Sequence, residues 1–357
     1  MKSFVLVTGG CGYIGSHICV ELLQQGENVL IFDNLSNSKA SVVKKIRKIS
    51  QKSGELHFFK GDVRDIESLH SVFQTYSIKS VIHLAGVKSV SESLAKPVEY
   101  YDINVGGTLN LMNVMKSHEV RNLIFSSSAT VYGDSPVPFN GLKEEDVKAE
   151  SVPQNPYGRS KKMAETILKD SVGFKIAILR YFNPLGAHSS GLIGDKSKDN
   201  LMPRLLFATK YSGVFHVYGD TYPTRDGTPI RDYIHVVDLA RGHLKILDSL
   251  ENDYWTGSQV FNLGTGKGYT VLEVLVAFQN ATGQKLKYDI DEPRKGDVAI
   301  SFANCDKAIK KGFEATHTLD EMCRDHFNFC NTIKKRKRVV RKRCQKKRTP
   351  LASSQQN

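Results

Sequence analysis

No stretch of this 357-residue sequence offers the roughly 18 consecutive apolar residues that cross a bilayer as a helix, although hydrophobic residues make up 40% of it. The N-terminus has no basic flank leading into an apolar core, because three glycines interrupt the first apolar run. Neither a membrane span nor a secretory leader is read here. A C-x-x-C pair is also missing. The six cysteines, Cys11, Cys19, Cys305, Cys323, Cys330 and Cys344, lie too far apart for a disulfide framework, so we expect reduced, packing thiols in a soluble cytoplasmic protein. Acid is absent from residues 332–357, which hold eleven Lys or Arg and account for all but two units of the net charge of +13. The charge that suggests a nucleic-acid partner therefore belongs to a tail. A solvated, disordered run is the simplest expectation for it; the basic cluster at 334–348 also fits a nuclear import address or a polyanion contact.

What is present begins at once. Phe4, Val5, Leu6 and Val7 read as a buried strand, Gly9, Gly12 and Gly15 follow at three-residue spacing, and Ile14, Ile18 and Leu22 then mark the inward face of a helix. Strand, glycine turn and helix make a phosphate cradle. Gly9 permits the tight turn, Gly12 admits a pyrophosphate to the backbone, and Gly15 lets the helix pack close, with its N-terminus on the anion. Eighteen residues beyond Gly15, after Val29 to Phe32, stands Asp33. A carboxylate there accepts both ribose hydroxyls of an adenosine and repels a 2′-phosphate, which points to NAD over NADP. Asn34 and the polar residues after it would wrap the adenosine. Asp62, just past the next strand, suits either the adenine amino group or a helix cap.

Strands then alternate with helices. The run from Ser80 to Gly86 is a strand whose small end leaves room for a cofactor, Lys88 follows in a loop, Asn104 opens a helix, and Leu123 to Ser128 ends in hydroxyls. The pattern predicts an α/β chain: a Rossmann-type doubly wound parallel sheet over residues 1–182, with a smaller mixed α/β substrate-binding lobe over 183–331, some segments of which are expected to pack back on the first domain. Residues 134–156, with four prolines, read as a surface loop. They lead to Pro156, Tyr157 and Lys161, where i, i+4 spacing puts a phenol and an ammonium on one helical face. A phenol of pKa about 10 becomes a base at neutral pH only if its phenolate is stabilised by roughly 4 kcal/mol, and a neighbouring lysine and a nicotinamide cation would supply that. In the second lobe, arginines, amides and an aromatic strand edge suit a nucleotide diphosphate. Cys323, His326 and Cys330 fall on one helix face but lack a fourth ligand, so packing, not metal, is expected.

Four strings carry a resemblance: residues 7–17 (VTGGCGYIGSH), 125–133 (FSSSATVYG), 180–184 (RYFNP) and 231–235 (RDYIH). Over residues 3–331 the chain resembles the UDP-hexose 4-epimerases of the extended short-chain dehydrogenase/reductase family. The resemblance implies an isomerase of galactose metabolism, a homodimer, NAD as cofactor and a 4-keto sugar in transit. It makes Ser128, Tyr157 and Lys161 the catalytic set. It implies cofactor contacts from Gly9, Gly12, Tyr13, Ile14, Gly15, Asp33, Asn34, Asp62, Val63, Leu84, Lys88, Asn104, Tyr157, Lys161 and Phe182. It places UDP-sugar contacts at Ser128, Asn183, Asn200, His216, Val217, Tyr218, Arg231, Arg294 and Asp297. Ser301 stands where the family has either a tyrosine or a small residue, which implies room for an N-acetylated sugar. Ile103 departs from an expected asparagine, and Pro229 from a small residue. Two other functions compete. A sugar-nucleotide 4,6-dehydratase needs acids beside the catalytic hydroxyl, where this chain has Ala129 and Thr130. A silent NAD-binding regulatory or nucleic-acid-binding protein would not need the serine, tyrosine and lysine.

Overall fold

A computed structural model describes residues 2–51, 54–147, 151–197, 200–294 and 297–346, with backbone alone from 333 onward. Seven parallel strands form the main sheet, in the spatial order Gly257–Leu263, Lys175–Tyr181, Asn122–Ser128, Ser77–His83, Ser3–Thr8, Val29–Phe32, Leu56–Phe59. Their middles are apolar because helices cover both faces, as a parallel sheet requires. Val5, Val7 and Ile31 pack into one core layer and Leu6, Leu30 and Phe32 into the other. The direction of winding reverses between Ser3–Thr8 and Ser77–His83, and a crevice opens at such a switch point.

Two elements beyond residue 182 lie on this sheet. Gly257–Leu263 pairs with Lys175–Tyr181 at the edge, and the Val236–Asn252 helix packs beside the Tyr13–Gln24 helix. The second lobe centres on Ile230–His235, which pairs with Gly268–Thr270 on one edge and Ile300–Ser301 on the other, and along Tyr233 to His235 also with Asn183–Leu185. A parallel pair, Val214–Tyr218 with Lys287–Asp291, completes it. The Leu201–Tyr211 and Val271–Thr282 helices and the start of the last helix bury Met202, Phe215, Phe278 and Met322 between them.

That last helix runs Leu319–Lys346. A disordered tail from 332 was expected, but the backbone stays helical through Lys346, because lysine, arginine and glutamine extend a helix already docked at its first turns. Residues 347–357 of the expected tail lie outside the described residues. Cys323 and His326 are buried in packing, and among the described residues no group of three or more His, Cys, Asp or Glu could hold a metal ion. Among them, too, no helix is long and apolar enough to cross a membrane.

Candidate functional site

The glycine turn is fixed by contact. Gly9 has φ +71°, and a Cβ on Gly15 would lie 2.4 Å from the Gly9 carbonyl oxygen. Only glycines let the Tyr13–Gln24 helix start so close under the strand, leaving its N-terminal amides open to a phosphate. Asp33 closes the same corner. Its carboxylate accepts from the Cys11 amide (2.9 Å), the Leu35 amide (2.8 Å) and the Ser38 hydroxyl (3.1 Å). Together they border a cleft of about 570 Å³ over the strand ends, lined also by Gly12, Tyr13, Ile14, Asn34, Asp62, Val63, Leu84, Lys88, Tyr157 and Lys161. The cradle and the acid fit a dinucleotide with a free 2′-hydroxyl.

Three residues stand differently from the sequence reading. Asp62 is no helix cap: Asp65 caps Ile66–Thr75, accepting from the Glu67 and Ser68 amides. Asp62 instead lines the cleft, gripped by Arg64 and Asn34, and the Arg64 hydrogen bonds hold its carboxyl well below the usual range. Asn104 does not line the cleft. It sits buried in a π-helical turn, Asp102–Gly106, where its Oδ1 accepts from the Val87 amide (2.9 Å) and its Nδ2 donates to the Val87 carbonyl (3.0 Å) and the Ser160 hydroxyl (2.9 Å). It ties the loop carrying Lys88 to the helix carrying Tyr157, and Ile103 takes the place on the cleft wall. Phe182 also turns away, buried near Tyr132, because the strand's last residue, Tyr181, takes the cleft side and its successor faces inward.

The Pro156–Asp170 helix is started by Asn155, whose side chain accepts from the Gly158 amide at 2.9 Å, and by proline at its first position. That start sets Tyr157 in the first turn and Lys161 in the second. The Tyr157 hydroxyl hydrogen-bonds Ser128 at the end of Asn122–Ser128. Lys161 Nζ donates to the Ser126 carbonyl at 2.7 Å and lies 4.9 Å from the Phe125 ring centroid. The expectation that Lys161 acidifies Tyr157 is not met within the protein alone: burial pushes the phenol up, and only the Ser128 hydrogen bond opposes it. Burial also pushes the Lys161 amine down to about 8. One turn further, Glu165 accepts from Ser127 (2.5 Å) and from Arg180 Nε and Nη2 (2.9 and 2.7 Å), clamping the helix to two strands.

The low lysine pKa has a measurable consequence. Between pH about 8 and the unfolded value near 10.4, the unfolded chain holds a proton that folded Lys161 has released, so this group makes the fold more stable as pH rises through that window. Below pH 8 both states are charged, and the folded state carries the cost of a buried cation. Lys161→Met removes both effects. The variant is expected to unfold at the same or a higher temperature than wild type at pH 7, and to lose this contribution to the pH 8–10.4 rise, as followed by thermal unfolding.

The expected substrate residues from Asn183 onward stand in the second lobe and do not line this cleft. Asn183 is exposed next to the Ile230–His235 strand, and Asn200 donates to Asp195 at 2.6 Å ahead of the Leu201–Tyr211 helix. Along Val214–Tyr218 the pleat exposes His216, half-exposes Tyr218 and buries Val217, whose side chain joins the core. Arg231 is bonded to Asp297, and Arg294 lies over the Tyr218 ring. Ser301 pairs with Arg231 and Ile300 with Ile230, so the pleat puts Ser301 on the arginine's face and Ile300 on the opposite one. Lys295 and Gly296, between these groups, lie outside the described residues.

The chain matches the NAD dependent epimerase/dehydratase family over residues 5–264. It belongs to that family. It is 46% identical over 330 residues to a UDP-glucose 4-epimerase of Dictyostelium discoideum, spanning 90% of this chain and 94% of that one. With a Bacillus subtilis UDP-glucose 4-epimerase it shares 45% identity over 334 residues, 91% of this chain and 96% of the relative. Among solved structures, a UDP-glucose 4-epimerase from Bifidobacterium longum in complex with NAD+ and UDP superposes with a TM-score of 0.84 at 43% identity, covering 93% of this chain and 98% of that one. A UDP-glucose-4-epimerase from Stenotrophomonas maltophila with bound NAD and formylated UDP-arabinopyranose gives 0.87 at 42%, covering 93% and 99%. The cofactor is NAD.

Within this epimerase/dehydratase chain, several cleft residues escape a reading of the sequence. Residues 192–197 line the cleft, and so does Lys45, which donates to the Leu192 carbonyl at 2.8 Å. No local pattern marks a strap that meets its partner 147 residues away. Asp195 is legible only in retrospect: it anchors Ser197 and Asn200 and is held ionised chiefly by Lys88 and by these hydrogen bonds, against its burial.

Proposed function

We propose that this chain inverts C4 of UDP-galactose and UDP-glucose, with Tyr157 as the acid/base group. The observation that carries the reading is the Tyr157–Ser128 hydrogen bond, with Tyr157 lining the same cleft as the glycine cradle, Asp33 and Lys161. Tyr157 takes the proton of the sugar 4-hydroxyl, and Ser128 hydrogen-bonds the same oxygen as it becomes a carbonyl. Lys161, facing the cleft from the next helical turn, binds the nicotinamide ribose. NAD held by the glycine cradle, Asp33 and Lys161 would supply a hydride acceptor and donor for C4 and a positive charge that favours the phenolate. Asp62 and Asp33 bind the adenosine half. Arg231 and Arg294 hold the diphosphate and the His216–Tyr218 strand edge the base, so that the 4-keto sugar alone is free to turn. UDP-galactose labelled with deuterium at C4 tests this reading: UDP-glucose retaining the deuterium at C4 supports it, and loss of the label to solvent contradicts it.

The sugar specificity follows from Ser301, which shares a face with Arg231. An acetamido group at C2 needs the space a tyrosine would fill, and overlap in a packed pocket costs about 1–3 kcal/mol. UDP-GalNAc is accordingly a substrate, and Ser301→Tyr lowers its kcat/KM roughly ten- to hundredfold relative to UDP-galactose; equal ratios in the two proteins count against the gate. The chain works as a homodimer, for which Leu94, Val98, Leu109 and Met163 offer exposed apolar contacts on four helices. The basic segment takes no part in turnover. Deleting 334–357 leaves kcat unchanged while abolishing salt-sensitive retention on a polyanion column, and a folded, inactive truncation contradicts this.

A further inference from the structure

Tyr218 ends the Val214–Tyr218 strand with two arginines over its ring. The Arg204 guanidinium carbon lies 4.4 Å from the ring centroid and that of Arg294 4.2 Å. They arrive from different directions. Arg204 stands on the Leu201–Tyr211 helix, and its Nη2 donates to the His216 carbonyl at 2.9 Å, whereas Arg294 follows Lys287–Asp291, the strand paired with Val214–Tyr218. Two guanidinia this near one centroid could share a ring face only with their like charges in contact. An aromatic ring flanked in this way has no face left for a pyrimidine.

The two cations are held unequally. Arg204 has its carbonyl acceptor and lies 5.5 Å from a second ring, that of the buried Phe215, while Arg294 is exposed on a loop. An exposed cation–π contact is weak, base stacking on an aromatic ring is stronger, and a planar guanidinium binds a diphosphate better than it binds a ring. The easier exchange is therefore at Arg294.

We propose that Arg204 is a positioning residue for the uridine end of the substrate: it stays behind the Tyr218 ring while Arg294 gives up the other face to the base and turns to the diphosphate. The proposal rests on the UDP-hexose reading. Arg204 acts through Tyr218 and needs no contact with phosphate, so its effect is the same for ligands with and without one. Arg294 opposes base binding until a diphosphate draws it away.

Calorimetric titration of the full-length, NAD-loaded protein with uridine and with UDP separates these roles. Arg204→Met weakens both ligands about tenfold and raises the KM for UDP-galactose to match, with kcat within twofold. Arg204→Lys, which keeps the charge but not the planar fork, shows the same pattern at smaller size and covers the case of a misfolded methionine variant. Arg294→Ala weakens UDP at least tenfold yet binds uridine as tightly as wild type or more tightly, because the face is already vacant. In a Tyr218→Leu background, Arg204→Met has no further effect on uridine. The proposal is overturned if the Arg204 variants weaken UDP but not uridine, or neither, or if Arg294→Ala weakens uridine as much as UDP. Wild-type protein that neither binds UDP nor epimerises UDP-galactose would instead refute the UDP-hexose reading.

Discussion

Tyr157→Phe is expected to lower kcat by about 10²- to 10⁴-fold, the range over which a positioned acid/base group acts, while the protein keeps its fold and its NAD. One hydroxyl is removed and the ring stays, so the packing of the Pro156–Asp170 helix is untouched. What is lost is the group that hydrogen-bonds Ser128 and that, in the proposed reaction, meets the 4-hydroxyl. Because Tyr157 acts as a base only once its phenol is deprotonated, the basic form grows with pH, and kcat of the wild type rises with pH up to the phenol's pKa in the NAD-loaded protein. The residual rate of the phenylalanine variant should lack that rise. Turnover within threefold of wild type, measured with UDP-galactose at saturation, would show that another group moves the proton.

A comparable loss, this time of stability, is expected from Glu165→Ala. The Glu165 carboxylate is buried with the Arg180 guanidinium, and both of its oxygens accept from it. Removing the carboxylate leaves Arg180 charged, 1% exposed and opposite a cavity, with the Ser127 hydroxyl also deprived of its acceptor. Breaking such a pair costs about 3–5 kcal/mol, whereas replacing both partners by apolar residues costs less. Urea unfolding should therefore show Glu165→Ala as the weaker protein and Glu165→Leu with Arg180→Met as partly recovered. A midpoint for Glu165→Ala equal to wild type would mean that Arg180 finds sufficient compensation from the Glu144 carbonyl and the Tyr132 ring. Because Tyr157 and Lys161 ride on the same helix, the clamp also bears on the catalytic geometry.

The parts legible in the sequence are those where chemistry dictates residue type at fixed local spacing. Gly9, Gly12 and Gly15 must be small for a phosphate to reach a helix N-terminus, and Tyr157 and Lys161 must be four apart to share a helix face, so short strings carry them. Asp33 is legible because it follows the second strand directly. The remainder depends on which way a side chain turns or on segments distant in sequence. Phe182 and Tyr181 are neighbours, and only the strand's pleat decides which of them meets the cleft. Asn104 reads as a cofactor contact, whereas its three hydrogen bonds to Val87 and Ser160 join the loop carrying Lys88 to the helix carrying Tyr157. Residues 192–197 lack periodicity and line the cleft all the same. Gly257–Leu263 joins the first sheet from the second half of the chain, and nothing in its composition says which sheet it extends.

The central claim is that one site removes a hydride from C4 and returns it, leaving NAD unchanged at each turnover. It is tested most directly by giving purified protein, passed through a desalting column and supplied with no nucleotide cofactor, UDP-galactose alone. The account predicts conversion to UDP-glucose at equilibrium, with no net accumulation of reduced cofactor and no increase in rate on adding NAD to protein already loaded with it. Protein that carries NAD yet leaves UDP-galactose unchanged, or that consumes added NAD in proportion to product, would contradict it.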